Sequence, residues 1–139
     1  MDGAYPGMPV VQFPIVDVRE VAFAHLQGIK VPEARNQRFI LCTESLWFKQ
    51  IAETLKEEYG EFYKFKTGEL KYCTVKLASF FDPSVRIILP LWRKSIILNN
   101  ERSRKVLGIE YRDTKTTINE MALTLIACGQ IAEKRKPKK

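Results

Sequence analysis

Two rhythms of apolar and polar positions run along this chain. From Phe13 to Leu26 (FPIVDVREVAFAHL) a short apolar run gives way, at Asp17, to apolar residues at helical spacing. Val18, Val21, Ala22, Leu26 and Ile29 fall on one side of a helix, a stripe that needs cover. Asp17 with Glu20 three residues on has the spacing of a capping box. The first carboxylate can accept from free amides of the opening turn, and the second can reach back. The stretch therefore predicts a short strand, a tight turn and a helix.

The same reading continues downstream. Arg38–Cys42 (RFILC) predicts a short strand. Thr43 or Ser45 then caps a helix running to about Tyr59, stopped by Gly60. Phe48, Ile51, Ala52, Leu55 and Tyr59 mark its buried side, with Lys49, Glu53, Lys56 and Glu57 opposite. Tyr72 to about Phe81 is a further helix. Asp82-Pro83 reads as the cap and first residue of another, bent at Pro90, and core packing is the expected fate of this apolar stretch. Ser95–Asn99 (SIILN) predicts a second strand. Asn100 caps ERSRKVL, which Gly108 closes; Asp113 caps the last helix, whose stripe is Ile118, Met121, Ala122, Leu125 and Ile126, ended by Gly129. Ahead of all this, Pro6, Pro9 and Pro14 with Gly3 and Gly7 favour extended chain and turns. The expected class is α/β, mainly helical, with two or three short strands.

Composition narrows this picture. At 139 residues and 45% hydrophobic, one domain with a modest core is expected. No apolar run approaches the ~20 residues of a membrane span, and MDGAYPGMPVVQ has neither the basic segment nor the apolar core of a signal peptide. Cys42, Cys73 and Cys128 form no CxxC pair, so reduced thiols in a cytoplasmic protein are expected. His25 has no partners at metal-ligand spacing. Of the net charge of +7, Glu133–Lys139 (EKRKPKK) supplies +4, so basicity belongs to the tail. A solvated end is the stronger reading of such a run, and nucleic-acid binding the weaker. The link EFYKFKTGELK interleaves aromatics with lysines, a pattern that can stack on single-stranded nucleic acid, although no ribonucleoprotein-type strand motif accompanies it.

IVDVREVAFAHL, RFILCTESLWFKQIAETLKEEY, DPSVRIILPLWRK and NNERSRKVLGIEYRDT together resemble the extended short-chain dehydrogenase/reductase family, in particular its dihydroflavonol-reductase-like and cinnamoyl-CoA-reductase-like members. In that family the VDVRDVAxAH corner lies past the middle of the chain, after the cofactor half. Here it begins at residue 13, so the resemblance covers only the C-terminal, substrate-binding part of an extended Rossmann-type reductase. It implies a parent activity of NAD(P)-dependent oxidation or reduction of a small carbonyl or alcohol. It also implies that residues 95–99 pair with residues 15–18, and that Phe13, Leu91 and Trp92 help to wall a substrate pocket.

The family's chemistry needs a Gly-rich turn at a helix N-terminus for the pyrophosphate, a Tyr and a Lys four residues on, and a Ser. The seven glycines are scattered singly and form no GxGxxG. YxxxK occurs twice, at Tyr72–Lys76 and Tyr111–Lys115, but both follow the VDVRE corner whereas the family's catalytic pair precedes it. Both are read as decoys.

The expectation is thus a partial reductase lobe over 1–132 and a basic tail over 133–139. It carries no catalytic, metal or cofactor residues of its own, with NAD(P) implied for the full-length family. A cofactor-domain partner chain or a homo-oligomer would complete it, and no membrane is involved. The alternatives are a module that docks on a full-length relative and a small basic nucleic-acid-binding protein.

Overall fold

The computed structural model describes residues 7–134. In chain order these form β1 (Gln12–Ile15), α1 (Val18–Lys30), β2 (Glu44–Trp47), α2 (Phe48–Tyr59), α3 (Tyr72–Ala78), α4 (Pro83–Ile88), α5 (Glu101–Leu107) and α6 (Thr114–Ala127), with 3-10 turns at Pro32–Ala34 and Leu89–Leu91. The fold is α/β and mainly helical. Among the described residues, β1 and β2 make a two-stranded sheet. Ile15 accepts from the Thr43 amide and Val11 from the Phe48 amide, so the pair is antiparallel. Pro14 within β1 fits an edge strand, where the missing amide costs nothing. The expected basic tail lies almost wholly outside the described residues, as do Met1–Pro6.

The chain divides into two compact units, each interrupted in sequence. One comprises Phe13–Leu46 and Ile96–Thr117; the other comprises the residues up to Gln12, Trp47–Ser95 and the residues from Ile118 on.

In the first unit, α1 begins where predicted. Asp17 caps it, accepting from the Arg19 amide at 2.9 Å, and the capping box with Glu20 is complete. The buried side of α1 is not the predicted stripe. Glu20 and Ala24 point inward, whereas Val18, Leu26 and Ile29 are exposed, Ile29 to 86%. Glu20 has to be buried for the corner's hydrogen bonds, and that rotation carries the Val18–Leu26–Ile29 side outward. The small Ala24 lets α1 approach Leu107 and Ile109, with Val31, Phe39, Leu41, Val106 and Tyr111 around them. α5 ends at Gly108 in the left-handed region (φ 65°), as its sequence demands.

Two expected strands are absent from this unit. Arg38–Cys42 is extended without a ladder: Phe39 and Leu41 pack into the core, the Cys42 carbonyl takes a hydrogen bond from the Asn100 side chain at 2.6 Å, and strand pairing starts only at Thr43. The Asn99 side chain turns forward to accept from the Glu101 amide, leaving Ile97 exposed, so residues 95–99 do not pair with residues 15–18. Asn100 itself makes no capping bond to α5.

In the second unit, α2 runs to Tyr59 and stops at Gly60, as expected. Its N-terminus is set by neither Thr43 nor Ser45: the helix starts at Phe48, and Gln50 reaches back to the Trp47 amide at 2.8 Å. Ala52 and Tyr59 are buried on α2, and Tyr59 and Tyr63 pack with Ala122 and Ile126 of α6, flanked by Leu55, Phe62, Phe65 and Ile131. Asp82 caps α4 through the Ser84 amide with Pro83 at the first position, as the sequence indicated, and the Leu89–Leu91 turn forms around Pro90. The expectation that this apolar stretch packs into a core fails among the described residues. Leu77, Phe80, Phe81 and Ile87 are exposed, Phe81 to 84%. Short helices of seven and six residues present too narrow a face to bury all of it.

Candidate functional site

The most heavily bonded polar cluster is the β1–α1 corner. Asp17 is buried, and its carboxylate accepts from the Arg19 amide, the Arg19 Nε at 2.8 Å and Nη2, and the Thr117 hydroxyl at 3.2 Å. The Arg112 guanidinium stands 3.7 Å away. The Arg19 guanidinium holds the Asp17 carboxyl well below the usual carboxylate range, against the upward pull of burial. Glu20, also buried, accepts from the amides of Asp17 and Arg112. Beside this corner lies a cleft of about 580 Å³, lined by Arg19, Glu20, Phe23 and residues 108–112. Both carboxylates are consumed by backbone and guanidinium partners, so the corner is built to hold the chain and not to move a proton.

The corner also answers whether a dinucleotide fits here. A strand–turn–helix is the unit that cradles a pyrophosphate, at amides left open by the helix N-terminus. In this chain those amides face the Asp17 carboxylate, so the position is already filled by negative charge. No single cluster of glycines clears space for a phosphate. At this corner the described residues leave no open cradle for a pyrophosphate.

The Tyr111 hydroxyl is bonded to the fully buried Ser103 hydroxyl at 2.8 Å, under the Arg104 guanidinium 4.7 Å from the ring. Tyr72 lies edge-on to Trp92, with centroids 5.6 Å apart. His25 Nδ1 sits 2.7 Å from the Val21 carbonyl, a contact within its own helix.

In the second unit, a cleft of about 330 Å³ opens between Pro9–Val10, the start of α2 (Trp47, Lys49, Gln50 and Glu53) and Glu69. Met8 bridges to Glu69 as a parallel pair, and Lys49 forms an ion pair with Glu69 at 3.3 Å. The sequence-indicated residues divide between the units. Phe13 is half-buried in β1 of the first, whereas Leu91 and Trp92 are half-buried at the end of the 3-10 turn in the second. Next to them, the Arg93 amide donates to the Val10 carbonyl at 2.8 Å, which ties the Leu91–Trp92 segment to the loop that lines this cleft. Trp47, Gln50 and Glu69 were not foreseen. Trp47 carried a signal, a large aromatic at a helix start, but nothing in the sequence linked it to Val10.

No family model matches the chain. A ketoreductase of Aspergillus niger, azaE, is 33% identical over 123 residues, which are 86% of this chain and 31% of that protein. The NADPH complex of the yeast methylglyoxal/isovaleraldehyde reductase Gre2 superposes with a TM-score of 0.66 at 21% identity, covering 94% of this chain and 38% of that one. The chain is thus similar in sequence to part of a ketoreductase and in fold to part of an NADPH-bound reductase. Its fold is that of the mainly helical part of such a Rossmann-type reductase. The solved structure of gox2253 has the same fold, with a TM-score of 0.70 at 17% identity over 94% of this chain and 42% of its own. The chain spans about a third of the length of the curated ketoreductase it matches.

Proposed function

We propose that this chain is the C-terminal, substrate-binding portion of an NAD(P)-dependent oxidoreductase of small carbonyls or alcohols, with no hydride-transfer centre of its own. The observation that carries the reading is the Asp17 carboxylate at the β1–α1 corner, where a cofactor-binding half would present open amides to a pyrophosphate. The similarity of nearly the whole chain to part of a ketoreductase and part of an NADPH-bound reductase supports it. In this reading residues 1–132 are the lobe and 133–139 a tail. Leu91 and Trp92, held to Val10 through Arg93, wall a small-molecule pocket in their own unit, and Phe13 is assigned a substrate contact in the other, separately. The protein is cytoplasmic; no described helix is long and apolar enough to cross a membrane.

The catalytic half is supplied either on the same polypeptide or by a separate chain. The exposed apolar side chains of α1 and of the α3–α4 region favour a protein surface that covers them, either a cofactor domain or a second copy. A thermal melt of the 139-residue chain with and without NADPH or NADH tests the proposal. A ligand at a hundredfold excess over its Kd adds about 2.7 kcal/mol to the folded state. The expected result is a transition unmoved by either dinucleotide. A clear upward shift overturns the proposal.

A further inference from the structure

One extended stretch of the first unit has no backbone partner. The four amides and four carbonyls of Arg38–Leu41 form no hydrogen bond among the described residues. Pairing with β1 begins only at the Thr43 amide, and the Cys42 carbonyl is taken by the Asn100 side chain. Phe39 and Leu41 anchor the stretch to the core from one side, while Ile40 on the other is 47% exposed. Backbone donors and acceptors held in an extended row are a template for another strand. Proline and charged side chains commonly close such an edge. β1 carries Pro14, whereas Arg38–Cys42 (RFILC) has only the arginine at its start.

We propose that Arg38–Cys42 pairs antiparallel with the same stretch of a second copy of this chain, about a two-fold axis at Ile40. Backbone chemistry alone would accept any strand; the side-chain register favours self-pairing. Residues directly opposite in an antiparallel pair share a face. About Ile40, Phe39 meets Leu41 of the copy on the core side, and Ile40 meets Ile40 on the outer side. Arg38, which forms no ion pair among the described residues, meets the uncharged Cys42, with Glu44 two residues beyond it. No like charges oppose each other. Centring on Phe39 instead sets Arg38 against Ile40 and Gln37 against Leu41, and centring on Arg38 sets the two guanidiniums against each other. The two-fold axis makes every backbone bond occur twice, so about two to four form together. The contact is small, and its dissociation constant should be on the order of 0.1 mM. The proposal does not use the reductase reading: a strictly monomeric chain would sink it and leave the dinucleotide melt untouched.

The test is sedimentation equilibrium of the full chain from about 10 µM to about 1 mM, with Ile40→Lys and Ile40→Glu beside the wild type. The wild type should pass from monomer to dimer. Each variant alone sets like charges against each other at the axis and should dimerise at least about tenfold more weakly. An equimolar mixture of the two should recover the dimer, because opposite charges then meet at the axis. Ile40 is half-exposed, so dilute samples of all three should melt alike. Amide exchange of the wild type, which needs no variant, should slow within residues 38–41 as concentration rises. Any of four results would overturn the proposal. Monomer at every concentration would leave the edge to a strand from another protein. Unaltered association in Ile40→Lys would place the contact elsewhere, at Phe80 and Phe81 for example. The others are a mixture no tighter than either variant alone, and exchange at residues 38–41 that ignores concentration.

Discussion

Removing the Asp17 carboxylate is the most informative single change to the first unit. Asp17→Ala deletes the α1 cap, worth about 1 kcal/mol, and the charge-assisted bonds from the Arg19 side chain, worth about 1.5–3 kcal/mol in a buried setting. Arg19 and Arg112 are each nearly half exposed, so water recovers part of what they lose. The expected cost is about 2–4 kcal/mol. Asp17→Asn keeps an acceptor for the Arg19 amide and loses only charge, so about 1–2 kcal/mol is expected. At ~3–4 °C per kcal/mol for a domain of this size, the melting temperature should fall by about 6–16 °C for Ala and about half that for Asn. The charge component has a pH signature. The folded-state pKa lies below the ordinary value of 3.8, so the stabilisation is fully present above about pH 5 and is lost as pH falls below that ordinary value toward the folded one. The assay is the melting temperature of wild type and Asp17→Asn from pH 7 to pH 3, followed by circular dichroism. The gap between them should be constant to about pH 5 and narrow below pH 4. A gap independent of pH, or no gap, would refute the assignment of charge to this corner.

Further consequences are open to simpler measurements. Gly7→Ala places a Cβ 2.8 Å from the Gly68 carbonyl oxygen, so the Met8–Glu69 bridge must shift, and urea melts should show a loss of about 1–3 kcal/mol. Gly108→Ala forces a side chain into φ 65° at the end of α5 and should cost about 1–2 kcal/mol, with Gly108→Asn recovering part of it; equal stability of all three would contradict the left-handed cap. Ser103→Ala strips the Tyr111 hydroxyl of its buried partner, for about 1–3 kcal/mol, whereas Ser103→Ala combined with Tyr111→Phe should be closer to wild type. Phe80→Ser/Phe81→Ser should change stability by less than about 0.5 kcal/mol per site and reduce self-association in sedimentation; a loss above 2 kcal/mol would mean that these rings are buried in solution.

The helix ends were largely legible in the sequence because caps are local. Asp17 with Glu20, Asp82-Pro83 and Gly108 each settle their turn through atoms within four residues, and each stands where the pattern put it. Burial was not legible where a distant polar demand decided it. Glu20 is turned inward by the amide of Arg112, 92 residues away, and no periodicity count along α1 contains that information. The two expected strands failed for a related reason. An apolar run of four or five residues is compatible with a ladder or with a lone extended segment packed on a core, and side chains such as Asn99 and Asn100 decided between them. Of the candidate pocket, the proline-containing loop and the Leu91–Trp92 segment could be named, but the Arg93–Val10 bond that joins them could not.

The interleaving of the two units has a consequence for synthesis on the ribosome. Glu20 and Asp17 are made about 95 residues before the Arg112 amide and Thr117 hydroxyl that complete their corner, some 5–20 s at ordinary rates. The other unit likewise gathers residues up to Gln12 with α6 near the far end. Neither can close before α6 has been made, so the nascent protein carries both sets of apolar side chains uncovered until then. A stop codon that removes α6 should therefore leave no independently folded remnant, and cells making this protein should depend on chaperones that hold unfinished chains.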